Sequence, residues 1–184
     1  MNGIEKEGER VQLRFPVKND QDNYQSLRRV SEDFHRPWEP RRPPEIDPYG
    51  SDTFDKMLAA ASSERKRGLL VVRRTDRQIV GAVNLSEISR GCFQNCLLGY
   101  WVGLPYRGQG YMTEAVRLAV HYAFENLDLH RIEANIIPEN TASIALVKRL
   151  GFRKEGLSER YLEINGAWQD HERWAITREE VSES

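Results

Sequence analysis

Cysteine, long apolar runs and net charge are all scarce in this 184-residue chain. Its two cysteines, Cys92 and Cys96, form a CxxxC with no second ligand pair nearby. Neither a disulfide framework nor a structural zinc site is expected from them, and two reduced thiols in cytoplasm are the simplest reading. No other metal site is expected. No run of about 18 apolar residues occurs, so no membrane-spanning helix is expected. The polar start, MNGIEKEGER, does not read as a signal peptide. Lysine and arginine total 27 against 28 aspartates and glutamates, a formal charge of −1, which gives no reason to expect attraction to nucleic acid or to an anionic membrane. Length favours one domain with a substantial core, and either a monomer or a homodimer is compatible with it.

The chain does contain a concentrated signal at Tyr106–Ala115, YRGQGYMTEA. Arg107, Gly108 and Gly110 follow a strand-like run, Leu97 to Leu104. Behind them Met112, Ala115, Val116, Ala119, Val120, Ala123, Phe124 and Leu127 recur with helical spacing. A glycine turn feeding a helix start presents several unpaired backbone N–H groups at the positive end of the helix dipole, a ready site for phosphate oxygens.

Around it the pattern mixes strands and helices. Val11 to Phe15 reads as a strand and Asp20 to Phe34 as a helix with Tyr24, Leu27, Val30 and Phe34 inward. His35 to Pro48 holds five prolines in fourteen residues, a loop by proline chemistry. Asp52 to Lys66 reads as a helix. Leu69 to Val72 and Ile79 to Leu85 read as a hairpin, fraying from Asn84 to Gly91 before a strand from Phe93 to Gly103. Arg131 to Ile137 alternates as a strand, and Thr141 to Leu150 is a helix closed by Gly151. Tyr161 to Ile164 and Ala167 to Ile176 flank Asn165-Gly166, the signature of a two-residue type I′ turn. That turn predicts Tyr161 opposite Asp170 and Arg160 opposite His171. The class is α+β, one domain over 1–184. Residues 10–90, with the Pro-rich loop over 35–48, and residues 93–177 read as its two halves. Trp101, Trp168 and Trp174 read as core. Arg28-Arg29, Arg41-Arg42 and Arg73-Arg74 read as solvated faces.

The order of these pieces resembles the GNAT superfamily of N-acetyltransferases. The resemblance is carried by Leu98-Gly-Tyr-Trp-Val, Arg107-Gly-Gln-Gly-Tyr-Met-Thr-Glu-Ala, His130-Arg-Ile-Glu-Ala-Asn, Pro138-Glu-Asn, Leu150-Gly-Phe and the final Asn-Gly hairpin. It is dense over about residues 79–177, and within the superfamily it points to the branch that acetylates the N-terminal alanines of ribosomal proteins. It implies a mostly antiparallel twisted sheet of about six to seven strands, about four helices and a splayed central strand pair. It implies acetyl-CoA as cofactor, its pyrophosphate on the backbone of Arg107, Gly108, Gln109, Gly110, Tyr111 and Met112. Trp101 and Val102 would pair with the pantetheine arm, and Asn140 would hydrogen-bond it. Met112 stands where a small residue is usual, and its side chain is expected to turn inward.

The implied chemistry is attack of a neutral amine on a thioester, with an oxyanion to stabilise and a leaving thiolate to protonate. An N-terminal amine, with a pKa of about 8, needs less help than a lysine at about 10.4. Two departures follow. The tyrosine that protonates the thiolate in many members is Val147 here, which leaves Ser143, the donor implied by the ribosomal branch. The glutamate often used as base is replaced by Leu97. Glu87 and the Asp170–His171 pair remain as candidate bases, alongside ordered water. Trp38, Tyr161 and Asp170 are expected at the acceptor site. The expected acceptor is a protein N-terminal amine, the alternatives being a small amine such as an antibiotic, polyamine or amino acid, or a non-catalytic acyl-CoA binder.

Overall fold

The computed structural model describes residues 3–41, 43, 45–47 and 50–182. Arg42, Pro44 and Pro48 of the Pro-rich segment lie outside the described residues. Among the described residues nine strands form one sheet: β1 (Ile4–Glu7), β2 (Val11–Arg14), β3 (Ser62–Ser63), β4 (Lys66–Arg73), β5 (Ile79–Ser89), β6 (Asn95–Val102), β7 (Arg131–Ile136), β8 (Arg153–Ile164) and β9 (Ala167–Thr177). The spatial order is β1-β2-β4-β5-β6-β7-β9-β8, with β3 beside β4. The helices are α1 (Gln21–Val30), α2 (Glu32–His35), α3 (Ser51–Ala60), α4 (Tyr111–Glu125), α5 (Thr141–Arg149) and α6 (Arg178–Ser182). The class is α+β, with the GNAT arrangement expected. The strands not foreseen are β1 and the two-residue β3, both too short and polar to alternate visibly.

One pairing is parallel. β6 meets β7 only through Asn95↔Arg131, Cys96↔Ile132 and Leu97↔Glu133. Beyond Leu97 the two strands part, while β6 stays paired with β5 out to Val102 and β7 with β9 out to Ile136. This is the splay. α4 covers one face: its 3.6-residue spacing buries Ala115, Val116, Ala119 and Ala123 fully against Val11, Leu69, Val83 and Ile132. Burying each such valine or leucine contributes about 1.5–3 kcal/mol. A smaller core on the opposite face sets Leu27 of α1 on Leu70, Val72, Ile79 and Ala82.

Several expected elements are redrawn. The helix read over Asp20–Phe34 breaks at Ser31, whose hydroxyl donates to Leu27 C=O at 2.7 Å and accepts Leu104 N–H at 2.9 Å. Such back-bonding competes with the helical ladder. His35 ends α2, and Arg36–Trp38 is a single 3₁₀ turn with Pro37 where a helix start tolerates it. The helix expected to reach Lys66 stops at Ala60; Gly68 N–H donates to Ala61 C=O at 2.7 Å as the chain doubles back. β5 does not fray at Asn84. It stays laddered to Leu97 through Ser86, then bulges at Glu87, φ +49°, before Ser89 pairs with Asn95.

The Asn165-Gly166 turn has φ of +50° and +81°, as type I′ requires. Its register holds from Ile164↔Ala167 to Leu162↔Gln169, then slips by two, so that Ser158 faces His171. The expected partners Tyr161–Asp170 and Arg160–His171 are therefore not opposite. The cause is a bulge in which Arg160 takes φ +46° and its N–H donates to Asp170 Oδ1 at 2.8 Å. Trp168 is 63 % exposed, not core, whereas Trp174 is buried. Arg28 is buried rather than on a solvated face.

Candidate active site

The parting of β6 and β7 opens a cleft of about 490 Å³. Its walls come from β6, the loop before α4, the start of α5 and the α2 corner. The β6 wall is a main-chain edge. Gly103 N–H donates to Val80 C=O at 2.9 Å, so antiparallel alternation turns the N–H and C=O of Val102, and of Tyr100, away from β5. An extended ligand can add along such an edge as a strand would.

Two helix N-termini converge on the cleft. Gly110 caps α4 with φ +81°, and Gly108 before it has φ +72°, left-handed positions that glycine occupies without strain. Gly110, Tyr111, Met112 and Thr113 line the cleft from this end. Across it, Asn140 caps α5 by accepting Ser143 N–H at 3.1 Å, with Thr141 and Ala142 beside it. Both dipoles present their positive ends, a combination suited to anionic oxygens or sulfur. Arg107 and Arg149 also line the cleft, and neither has a carboxylate partner among the described residues. Met112 is buried with Cε close over Gly81, so its side chain turns inward as expected.

Sequence-chosen residues meet here: Trp101, Val102, Arg107, Gly108, Gly110, Tyr111 and Met112 from one side, Asn140 and Ser143 from the other, and Trp38 at the acceptor loop. Gln109 is adjacent but outside the lining; its side chain donates to Pro105 C=O and its own carbonyl accepts from Arg10. Glu87 is remote from the lining, its carboxylate exposed and 2.6 Å from Arg65. Nor do Tyr161, Asp170 and His171 line the cleft. Asp170 holds the β8 bulge. His171 is buried, its Nδ1–H donates to Gln169 C=O at 2.9 Å, and its ring meets Tyr161 edge-on at 5.9 Å.

Three further cleft residues carry contacts to which the sequence assigned no role. His35 is buried against Trp101, ring centroids 5.4 Å apart. Arg28 Nη1 donates to its Nδ1 at 2.9 Å, which leaves Nε2 to carry the proton and donate to Val102 C=O at 2.8 Å. Burial first, opposed by the Val102 bond and reinforced by Arg28, holds its pKa below the ordinary value, so the ring is neutral. With both nitrogens engaged it has no lone pair for an incoming amine. Glu39 pairs with Arg28 at 2.7 Å, and its carbonyl accepts Asn165 N–H at 2.9 Å, which ties the acceptor loop to the hairpin turn. Tyr100 donates to Ser143 C=O at 3.3 Å, and burial pushes its phenol up to about 12. None of these pairs is local in sequence; only the fold reveals them.

Comparison with known proteins follows the same geometry. The profile of the acetyltransferase (GNAT) domain family matches residues 10–153. The chain is 38 % identical over 148 residues to the [ribosomal protein uS5]-alanine N-acetyltransferase of Escherichia coli, covering 78 % of this chain and 75 % of that one. It is 45 % identical over 102 residues to the probable N-acetyltransferase YjcK of Bacillus subtilis, a match spanning 55 % of this chain and only 56 % of that relative. The solved structure of Mycobacterium smegmatis RimJ in complex with CoA-disulfide is 32 % identical, with TM-score 0.86 over 93 % of this chain and 83 % of that one.

Proposed function

The chain belongs to the GNAT acetyltransferase family, and on that footing we propose that it acetylates the N-terminal α-amine of a protein, one beginning with alanine or serine, with ribosomal proteins as the acceptor class. The observation that carries this reading is the 38 % identity, over more than three quarters of the chain, to a ribosomal-protein-alanine acetyltransferase. The cleft supports it: two helix N-termini and an outward-facing strand edge suit acetyl-CoA, and of the carboxylates in the lining Glu39 is engaged by Arg28 and Glu139 is solvent-exposed, which leaves no buried unpaired carboxylate as the strong base that a lysine acceptor would need more than an α-amine does. Family members use acetyl-CoA, which supplies a thioester carbonyl for attack by the amine.

The chain's own residues then divide the work. Backbone N–H groups of the Arg107–Met112 turn and the Arg107 guanidinium hold phosphate oxygens. The outward N–H groups of Tyr100 and Val102 and the outward C=O of Tyr100, with the Asn140 side chain, hold the amide-bearing arm, while the Val102 C=O is kept in place by His35. Ser143, at the positive end of α5, passes its proton to the departing sulfur and takes one back from the water that received the amine's proton. Trp38 walls the acceptor side. The amine gives up its proton to water, since Glu87 and His171 lie outside the lining, Glu39 is held by Arg28 and Glu139 is open to solvent.

Thiol release from acetyl-CoA tests this across peptides with free alanine, serine or methionine starts, N-blocked peptides with internal lysine, and polyamines and aminoglycosides. Release confined to free alanine or serine starts is expected. Release with small amines alone overturns the acceptor.

A further inference from the structure

A second cavity, of about 150 Å³, shares Trp101 and no other lining residue with the cleft. Its apolar wall is Met57 of α3, Leu70 of β4 and Ala82 of β5. Two polar side chains enter it, Lys66 of β4 and Asn84 of β5, both half-buried. Neither has a hydrogen bond or ion pair among the described residues. An apolar wall with a few convergent polar groups is the usual make-up of a ligand pocket. Both reach water, and a carboxylate arriving there would replace that water with charge-assisted partners.

The register links this pocket to the reacting edge. Asn84 lies opposite Gly68 on one side and opposite Gly99 on the other, and Ala82 lies opposite Trp101. Gly68 gives the amide its room, since a Cβ there would stand 3.2 Å from Asn84 Oδ1. Over Gly99 the face is open: nothing lies within 4 Å of where a Cβ would be. A polypeptide with its amine at the β6 edge that leaves across Gly99 meets Asn84 next. Lys66 offers only donors, and the Asn84 amide can offer two more. The complement is an aliphatic stem ending in a carboxylate.

We propose that this pocket takes a glutamate side chain of the acceptor close behind its N-terminal residue, the stem on Met57, Leu70 and Ala82 and the carboxylate between Lys66 and Asn84. The proposal rests on the protein-N-terminus reading of the main cleft.

The test uses alanine-starting peptides in a serine-glycine background, with glutamate, glutamine or lysine at position 2 or 3. One glutamate position is expected to lower KM about tenfold against glutamine, with kcat changed less than about twofold, an advantage that fades in salt. Lys66→Met, which keeps the stem, should erase the glutamate–glutamine difference. Met57→Trp, which fills the pocket with Lys66 intact, should do the same. The same peptides are titrated calorimetrically into enzyme saturated with coenzyme A, so binding is read apart from turnover. Charge-dependent binding without transfer supports the pocket and counts against the N-terminal acceptor. Absence of any glutamate preference in binding, or a preference that survives both variants, overturns the pocket.

Discussion

The imidazole of His35 donates to the carbonyl of Val102 at 2.8 Å, joining the α2 corner to the strand edge that faces the cleft. Behind it Arg28 serves both His35 and Glu39 while its guanidinium lies 4.8 Å over the Trp101 ring. One buried network thus positions both sides of the cleft.

This network makes stability pH-dependent in a defined direction. The folded pKa of His35 lies below the ordinary 6.5, so between the two values the unfolded chain binds the extra proton. The contribution is complete above about pH 6.5 and is lost as pH falls toward and through the folded value. Glutamine can accept from Arg28 and donate to Val102 without titrating. The melting temperature of wild type should therefore drop more steeply between about pH 7 and pH 5 than that of His35→Gln. Parallel curves for the two proteins would remove His35 from the acid response.

Gly110→Asp places a carboxylate and a side chain at φ +81°, at the mouth of the cleft. Acetyl-CoA affinity should fall at least about tenfold, roughly 1.4 kcal/mol. Gly91→Asp is the control: Gly91 also has positive φ, in the turn after β5 with open space around it, so it shares the strain but not the anion site. Equal affinities in both variants would reject the phosphate assignment.

Ser143→Ala should lower kcat about 100-fold with little change in acetyl-CoA affinity, the range expected for loss of a positioned proton donor. The Tyr100 hydroxyl remains bonded to the backbone at that position, so the wall should survive. Full turnover would take the serine out of the mechanism.

Asp170→Ala separates a structural from a catalytic carboxylate. It removes the acceptor of Arg160 N–H in the β8 bulge. Stability should fall by about 1 kcal/mol, with kcat/KM changed less than about twofold. A lost acidic limb in the pH–rate profile at unchanged stability would instead make Asp170 or its neighbour His171 the base.

How much was legible follows from where each decision is made. α4 and its glycine turn are local: spacing and Gly110 are enough. The Asn165-Gly166 turn is local too, but the register beyond Leu162 is set by Asp170 reaching a backbone N–H across the strand, which no two-residue turn rule contains. Ser31 breaks its helix because Leu104, far along the chain, supplies an N–H to its hydroxyl. Half of the cleft was reached through family resemblance. His35, Glu39 and Tyr100 were not, because a histidine beside prolines or a tyrosine on a strand acquires its role only from tertiary partners.

The odd–even division along β6 also bears on drift. Gly99 and Trp101 spend their backbone groups on β5, and Tyr100 and Val102 turn theirs outward, whatever side chains they carry. A ligand held by peptide groups is indifferent to substitution at those positions so long as the ladder stands. On the proposed reading, a cofactor held there keeps its grip while the sequence around it diverges, and an acceptor preference carried by side chains is free to change without disturbing it.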